Sequence, residues 1–317
     1  LFEGRPFPRL LSAVILGIEI GGTKLQLVLG ERDGTIHQRF RFKVAREAAA
    51  EGIRRQIAET LVEIRKRGPI EAVGIGFGGP VNCATGRIAR SHQVEGWSDY
   101  DLTGWLTGLA EAPVFADNDA NVAALGEAVL GAGKGSSPVF YVTLGSGVGG
   151  GLVVDGRIYH GRAPGEAEIG HVRLDKAGTR VEDRCSGWAM DRRIREAVSL
   201  HPGGPLAALA DGATEGEARF LAGALEHEDP VAYAILSEFA DNLAFGLSHV
   251  VQLLHPERII LGGGLSLVGE PLRSAVAAAL GQYVMEVFGE GSELVLATLK
   301  EDAVTSGALL LAGQGIH

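Results

Sequence analysis

The run Asp117-Asn118-Asp119-Ala120-Asn121 places carboxylates and amides where a short apolar run (Val114, Phe115, Ala116) gives way to an alanine-rich segment with helical spacing. A carboxylate at such a junction can take a proton from a hydroxyl, and the amides beside it can hold the molecule that carries that hydroxyl. One Asp or Asn there is enough to cap a helix; this cluster exceeds what one cap requires. Three glycine-rich turns also follow apolar runs: Gly21-Gly22, Gly145 to Gly151, and Gly262 to Gly264. Glycine lets successive backbone N–H groups point into one concavity with no Cβ in the way, and such concavities bind anions, phosphate above all. None of the three fits G-x-x-x-x-G-K-[S/T], and the first runs between two strands, so neither a Walker loop nor a dinucleotide fingerprint is present. Thr23 and Lys24 add a hydroxyl and a cation at the first turn, although Lys24 reads equally well as an exposed edge-strand lysine.

If one ligand is a nucleoside triphosphate, the other carries a nucleophile, and Asp119 is the candidate base for phosphoryl transfer to it. Asn118, Glu168, His171 and Glu182 could grip a polyol. Each alone is an ordinary surface or satisfied polar group. Together with Asp119 they read as a sugar site.

The elements that must position these groups follow from periodicity. Residues 13–20 (AVILGIEI) and 25–29 (LQLVL) read as strands joined at Gly21–Lys24, with a third, more polar strand ending near Phe42. Residues 46–67 read as an amphipathic helix with Ile53, Ile57, Leu61 and Ile64 on one face, stopped by Gly68-Pro69. A strand at 71–77 runs into Gly78-Gly79-Pro80, and a strand and a helix then flank the acidic cluster. The second half repeats the opening: strand 139–144, glycine turn, strand 152–154, then an acidic-Gly turn at Asp155-Gly156. A separation of roughly 125 residues is far too long for a solenoid and suits a duplicated domain. Residues 156–186 read as a loop-rich insertion carrying Glu166, Glu168, His171 and Glu182. Helices follow, the longest from Pro230 to Leu254, then a strand at Arg258–Leu261, a helix at 271–287 and a terminal helix from Val304 to Ala312.

The 317 residues are long enough for two domains and, at 46% hydrophobic and 21% charged, for packed cores. A net charge of −10 with no Lys/Arg-rich face argues against a nucleic-acid partner. Two distant cysteines, Cys83 and Cys185, make a disulfide framework unlikely to be the organising device and point to a reducing cytoplasm. No apolar run approaches the ~20 residues of a membrane span.

The motifs Gly17-Ile18-Glu19-Ile20-Gly21-Gly22-Thr23-Lys24, Asn118-Asp119-Ala120-Asn121, Thr143–Gly151, Glu168-Ile169-Gly170-His171 and Leu261–Gly264 occur in this order. In that combination the chain resembles the ROK family (repressors, open reading frames and sugar kinases) from about Ala13 onward. The resemblance implies an α/β, two-domain actin-like/hexokinase (ribonuclease H-like) fold with a duplicated mixed β-sheet core and an interdomain cleft. The division expected is 13–117 plus 302–317 against 118–301. It further implies ATP-dependent phosphorylation of a hexose at the 6-hydroxyl, glucose first, with fructose, N-acetylhexosamine or N-acetylmannosamine as alternatives. Asp119 would be the base, and Gly79, Asn118, Asp119, Glu168, His171 and Glu182 would hold the sugar. ATP would lie on Gly21, Gly22, Thr23, Lys24, Thr143, Gly145, Ser146, Gly147, Gly262, Gly263 and Gly264. A homodimer is the expected assembly.

Two departures from the family pattern matter. Glu19 stands where Asp is usual; a carboxylate there would help hold Mg²⁺ through water. The family's run of three cysteines after the E-x-G-H motif is missing, so no structural zinc is expected, and the loop after His171 should be held by pairs among Arg173, Arg180, Arg184, Asp175, Glu182 and Asp183 and by packing of Trp188 and Val181. The family's repressors carry a winged helix-turn-helix ahead of the first glycine turn. Only about a dozen residues precede Ala13 here, which favours an enzyme over a sugar-responsive regulator. An actin-like filament subunit would leave Glu168, His171 and Glu182 without a role.

Overall fold

The computed structural model describes residues 13–22, 24–44, 49–89, 96–162, 165, 167–288 and 291–316. They form two compact units. The first comprises the chain through Lys134, with Gly156–Glu166 and Glu301–His317; the second comprises Gly135–Asp155 and Ala167–Lys300.

The first unit is built on a five-stranded mixed sheet. Strands β1 (Val14–Ile20), β2 (Lys24–Gly30) and β3 (Ile36–Lys43) form an antiparallel meander, and β4 (Ile70–Phe77) and β7 (Val114–Asn118) add in parallel, giving the order β3-β2-β1-β4-β7. Helix α1 (Ala49–Arg65) crosses from β3 to β4 and buries Ile53, Ile57, Leu61 and Ile64, the face predicted from their spacing. Each such side chain contributes about 1.5–3 kcal/mol by leaving water. Their partners are Leu16, Ile18 and Ile20 of β1 and Val73 and Ile75 of β4. A two-stranded ribbon, β5 (Val81–Asn82) with β6 (Arg87–Ile88), lies on the way to α2 (Leu102–Ala110). Asp101 caps α2 by accepting the Gly104 N–H at 2.9 Å. The cluster that opens the sequence sits at the junction of β7 and α3 (Asp119–Val129), as expected for a strand-to-helix turn.

The second unit repeats this plan. β8 (Val139–Leu144) and β9 (Val148–Val154) are antiparallel, while β11 (Arg258–Gly262) and β12 (Glu293–Leu296) join β8 in parallel, in the order β9-β8-β11-β12. That order matches β2-β1-β4-β7, and Val14 and Val139 open equivalent strands, so the repeat legible in sequence is a repeat of sheet topology. The two-residue β10 (Arg157–Ile158) comes next in the chain and lies in the Gly156–Glu166 segment of the first unit. Helices α4 (Val181–Cys185), α5 (Gly187–Leu200), α6 (Pro205–Leu209), α7 (Leu221–Glu226), α8 (Pro230–Leu254) and α9 (Glu270–Leu280) complete this unit. Asp229 starts α8 by accepting the Val231 N–H at 2.8 Å, with Pro230 in the first turn where its missing N–H costs nothing. Ile235, Phe239, Leu243 and Leu247 of α8 pack with Phe140, Val142 and Leu144 of β8 in one core.

The structure revises several expectations. The first unit keeps α3 and the residues through Lys134, because α3 packs along α10 (Ala303–Gly315); the boundary expected at 117/118 is displaced. Gly149–Gly151 belong to β9, and the glycine turn proper is Gly145–Gly147. Gly150 is required there because a Cβ on it would overlap the Ala167 carbonyl. The helix expected at 271–287 ends at Leu280, and Glu286–Phe288 is a separate 3₁₀ turn. Strand β12 was not legible at all. No helix among the described residues is long and apolar enough to cross a membrane.

Candidate active site

In the first unit, Asn118 is the N-cap of α3. Its Oδ1 accepts the N–H groups of Ala120 at 2.9 Å and Asn121 at 3.4 Å, and its Nδ2 donates to the Gly79 carbonyl at 3.1 Å. The side chain therefore locks the Gly78-Gly79 turn to the start of the helix. Asp117, 2% exposed, fixes the junction from below. Its Oδ1 accepts the Asn118 N–H at 2.7 Å and the Asn121 Nδ2 at 3.0 Å, and its Oδ2 lies 2.6 Å from His160 Nε2. Sequence reasoning passed over Asp117 and His160 as a pair, since 43 residues separate them. Asp119 is the first residue of α3, half-buried, held by this frame at the end of β7.

At the first glycine turn, the Gly21 N–H donates to the Lys24 carbonyl at 2.9 Å and closes the β1–β2 connection. Thr23 lies outside the described residues, as does Glu166. Glu19 Oε2 accepts from Gln26 Nε2 at 2.7 Å and lies 3.3 Å from Lys24 Nζ. Gln26, fully buried, uses its own oxygen to accept from Arg39 and Arg41. A hydrated Mg²⁺ is bound through one or two carboxylates together with substrate phosphates, and the single carboxylate of Glu19 near the first glycine turn fits that requirement.

In the second unit, Glu168, His171 and Glu182 come together. Glu168 and His171 flank a 3₁₀ turn in which the His171 N–H donates to the Glu168 carbonyl at 3.0 Å. Desolvation pushes the Glu168 carboxyl above the usual carboxylate range; the Glu182 charge adds to this and His171 opposes it. Its side chain nevertheless reaches solvent. Arg180 Nη1 lies 3.4 Å from His171 Nδ1, and a guanidinium can only donate. That contact leaves the Nε2 edge of the ring without a hydrogen bond drawn from Arg180. Glu182 Oε2 accepts the Val148 N–H at 3.0 Å, which ties α4 to the second glycine turn. The same oxygen lies 2.5 Å from where a Cβ on Gly147 would sit, so a side chain there would have to displace the Glu182 carboxylate from its place on the turn.

Gly145, Ser146 and Gly264 line one cavity of about 480 Å³. Thr143, at the end of β8, pairs with Gly262 of β11 and brings the second and third glycine turns together. Gly263, at φ +80° and ψ −179°, adopts a conformation open to glycine alone, and a Cβ on it would lie 2.6 Å from the Leu144 nitrogen. Trp188 also lines this cavity and is 65% exposed, so the expectation that it anchors the loop after His171 is wrong.

That loop is held by backbone hydrogen bonds together with two of the expected devices, the Arg180–Asp183 pair and the packing of Val181. Leu174 and Thr179, and Val181 and Val172, are joined by backbone hydrogen bonds, Asp175 accepts the Gly178 and Thr179 N–H groups, and Arg180 pairs with Asp183 at 2.9 Å. Val181 is fully buried in the core. Cys185 is buried too, its thiol pushed up by desolvation, and Cys83 is exposed; the two form no disulfide. A structural zinc site takes four converging ligands, usually Cys and His, and among the described residues no three His, Cys, Asp or Glu converge as a metal site. Elemental analysis of protein purified without chelator is expected to find no stoichiometric zinc. EDTA followed by excess Mg²⁺ should leave the melting temperature unchanged; one tightly held zinc per chain would overturn this.

The fold is the actin-like/hexokinase fold. Its likeness to a crystal structure of a ROK family glucokinase from Streptomyces griseus in complex with glucose and AMPPNP has a TM-score of 0.82 at 29% identity, covering 96% of this chain and 100% of that one. Glucokinase from Thermotoga maritima is 32% identical over 302 residues, 93% of this chain and 95% of that protein. Glucokinase from Halalkalibacterium halodurans is 30% identical over 313 residues, 94% of each. The sequence model of the ROK family matches residues 15–315. The chain belongs to the ROK family.

Proposed function

We propose that this protein is an ATP-dependent hexose kinase that phosphorylates the 6-hydroxyl of its sugar, with glucose the preferred substrate. The observation that carries the reading is Asp119, a carboxylate at the first position of α3 whose surroundings are fixed by Asn118, Asp117 and Gly79. Asp119 takes the hydroxyl proton as that oxygen attacks the terminal phosphoryl group. Glu168 and Glu182 accept from ring hydroxyls, and His171 donates through Nε2. Asn118, with Oδ1 on the helix and Nδ2 on Gly79, contributes chiefly by holding Asp119 and the Gly79 turn in place. The glycine turns at Gly21-Gly22 and Gly145–Gly147 receive phosphates through backbone N–H groups, and Gly262–Gly264 borders the nucleotide. Mg²⁺ would be met by Glu19 through water and would neutralise charge developing on the phosphates. Likeness over nearly the whole chain to a glucokinase whose structure was determined with glucose and AMPPNP supports this reading.

The test is a coupled ADP-release screen over glucose, mannose, fructose, allose, N-acetylglucosamine and N-acetylmannosamine. Glucose is expected to give the highest kcat/KM. A preference for fructose, the alternative suggested by Glu19, or for an N-acetylated sugar would overturn glucose and leave the kinase standing. Sugar binding without ADP release for any of the six would instead favour a regulator.

The raised Glu168 carboxyl gives a pH prediction. As pH falls from neutral, Glu168 takes a proton before an ordinary carboxylate does and ceases to accept from the sugar. Sugar KM is therefore expected to rise on the acid side, starting above the usual carboxylate range. Hydrogen bonds to charged groups are worth about 1.5–3 kcal/mol, so Glu168→Gln should raise sugar KM roughly ten- to hundredfold and abolish that acid limb. For folding the sign is opposite: a carboxyl raised in the native state favours the fold while protonated, and that contribution is lost as pH rises through its raised value. A Glu168→Gln enzyme with the wild-type pH profile would remove Glu168 from the sugar site.

A further inference from the structure

One stripe of α5 carries Trp188, Asp191 and Arg195, spaced three and four residues apart, and Trp188 and Asp191 line the same cavity as Gly145, Ser146 and Gly264. Asp191 Oδ1 accepts the Ala218 N–H at 2.7 Å, and Arg195 Nη1 donates at 2.7 Å to Glu217, whose side chain is buried. These two contacts fix the segment Gly216–Arg219 as a wall of the cavity. Trp188 has a different relation to it. Its indole stands 65% exposed on the cavity lining, and Leu267, 73% exposed, lines the same space. Large apolar side chains grouped in solvent at a cavity mark a surface that a ligand covers.

Among the described residues lining the cavity, the polar side chains belong to Ser146, Asp191 and Arg219. Ser146 is on the second glycine turn, Asp191 holds Ala218, and the Arg219 guanidinium lies 4.6 Å from the centre of the Phe220 ring. The cavity thus offers broad apolar faces and few side chains aimed at the edge of a ring. We propose that Trp188 is the stacking platform for the nucleobase of the phosphoryl donor, and that the base is taken by its face, so that adenine and guanine nucleotides bind with similar affinity. The inference rests on the kinase reading above for the identity of the ligand as a nucleoside triphosphate.

The experiment is calorimetric titration of the wild type, Trp188→Ala and Trp188→Phe with ATP, GTP and inorganic tripolyphosphate, with glucose as a control ligand. Alanine replacement of a base-stacking aromatic is expected to weaken ATP and GTP binding about tenfold or more. Trp188→Phe should stay close to wild type. Tripolyphosphate, which has no base, should bind all three proteins alike, glucose affinity should not move, and GTP should bind the wild type within about tenfold of ATP. Trp188→Ala binding ATP like the wild type would overturn the proposal. So would equal losses of ATP and tripolyphosphate, which would mean a damaged glycine turn, or a preference for ATP over GTP of a hundredfold or more. Because the readout is binding, the two readings fail separately. A protein that stacks ATP on Trp188 yet phosphorylates no sugar defeats the kinase reading alone, and a working kinase indifferent to Trp188 defeats this one alone.

Discussion

Asp119→Asn is expected to lower kcat by about 10²–10⁴, the usual cost of removing a positioned general base. The substitution keeps the size and shape of the side chain and removes its ability to take a proton. The fold should not notice. The cap of α3 is supplied by Asn118, whose oxygen holds the Ala120 and Asn121 N–H groups, and the junction is braced by Asp117 through Asn118, Asn121 and His160. Sugar affinity measured by calorimetry should change little, because the proposed acceptors Glu168 and Glu182 and the proposed donor His171 remain. A fall in kcat with unchanged sugar binding is the signature of an interaction made in the transition state. Near-normal turnover would show that another group takes the proton, or that none is needed. A parallel loss of sugar binding would recast Asp119 as a binding residue.

The second large effect concerns the seat of α10 in the first unit. Gly74 lies in the middle of β4, and a methyl group placed on it would overlap the carbonyl oxygen of Ala308 and stand 3.2 Å from the Ala312 nitrogen. Both obstacles are helix backbone, so no side chain can rotate away. Neighbouring Gly17 has less severe crowding, its Cβ position 3.0 Å from the Thr305 oxygen. Gly307 faces the Val122 carbonyl of α3 in the same manner, so the helix is wedged between sheet and α3 by glycines on each side. Gly74→Ala must displace α10, and overpacking of this kind costs about 1–3 kcal/mol or more. At roughly 2–4 °C per kcal/mol for a chain segment of this size, the unfolding midpoint should fall by several degrees or more. Gly108 gives the contrast. It is exposed in α2 with nothing within 4 Å of its Cβ position, so Gly108→Ala should stabilise by about 0.5–1 kcal/mol through helix propensity. Thermal unfolding of the two variants beside wild type checks both signs, and a Gly74→Ala protein that melts with the wild type would show the seat of α10 to be looser than described.

Much of this architecture was legible in the chain because its strongest signals are local. Apolar runs ending in glycine turns mark β1, β2 and β8, the four-residue spacing on α1 and α8 marks buried faces, and Pro230 after a capping Asp marks a helix start. The Asp/Asn cluster was legible as a strand-to-helix junction, and it stood out as a candidate site because it holds more polar groups than one cap uses. What stayed hidden depends on contacts between distant segments. β12 is only four residues long, and only its pairing with β11 makes it a strand. The contact of Glu182 with the Val148 N–H spans 34 residues, and no spacing rule anticipates it. Trp188 looked like a core residue because tryptophan usually is one; its outward orientation follows from the face of α5 it occupies, with Ala189, Met190 and Ile194 taking the buried side. The domain boundary failed for a related reason. Asp119 begins a new element in sequence, but α3 packs on α10, which arrives from the far end of the chain.

The most direct test of the central claim is to incubate the purified protein with glucose, ATP and Mg²⁺ and identify the products by ³¹P NMR, with Asp119→Asn treated identically. The account predicts stoichiometric ADP and a phosphomonoester on the sugar's 6-oxygen from the wild type, and at most about a hundredth of that rate from the variant. ATP left intact beside bound glucose, or equal rates from the two proteins, would contradict it.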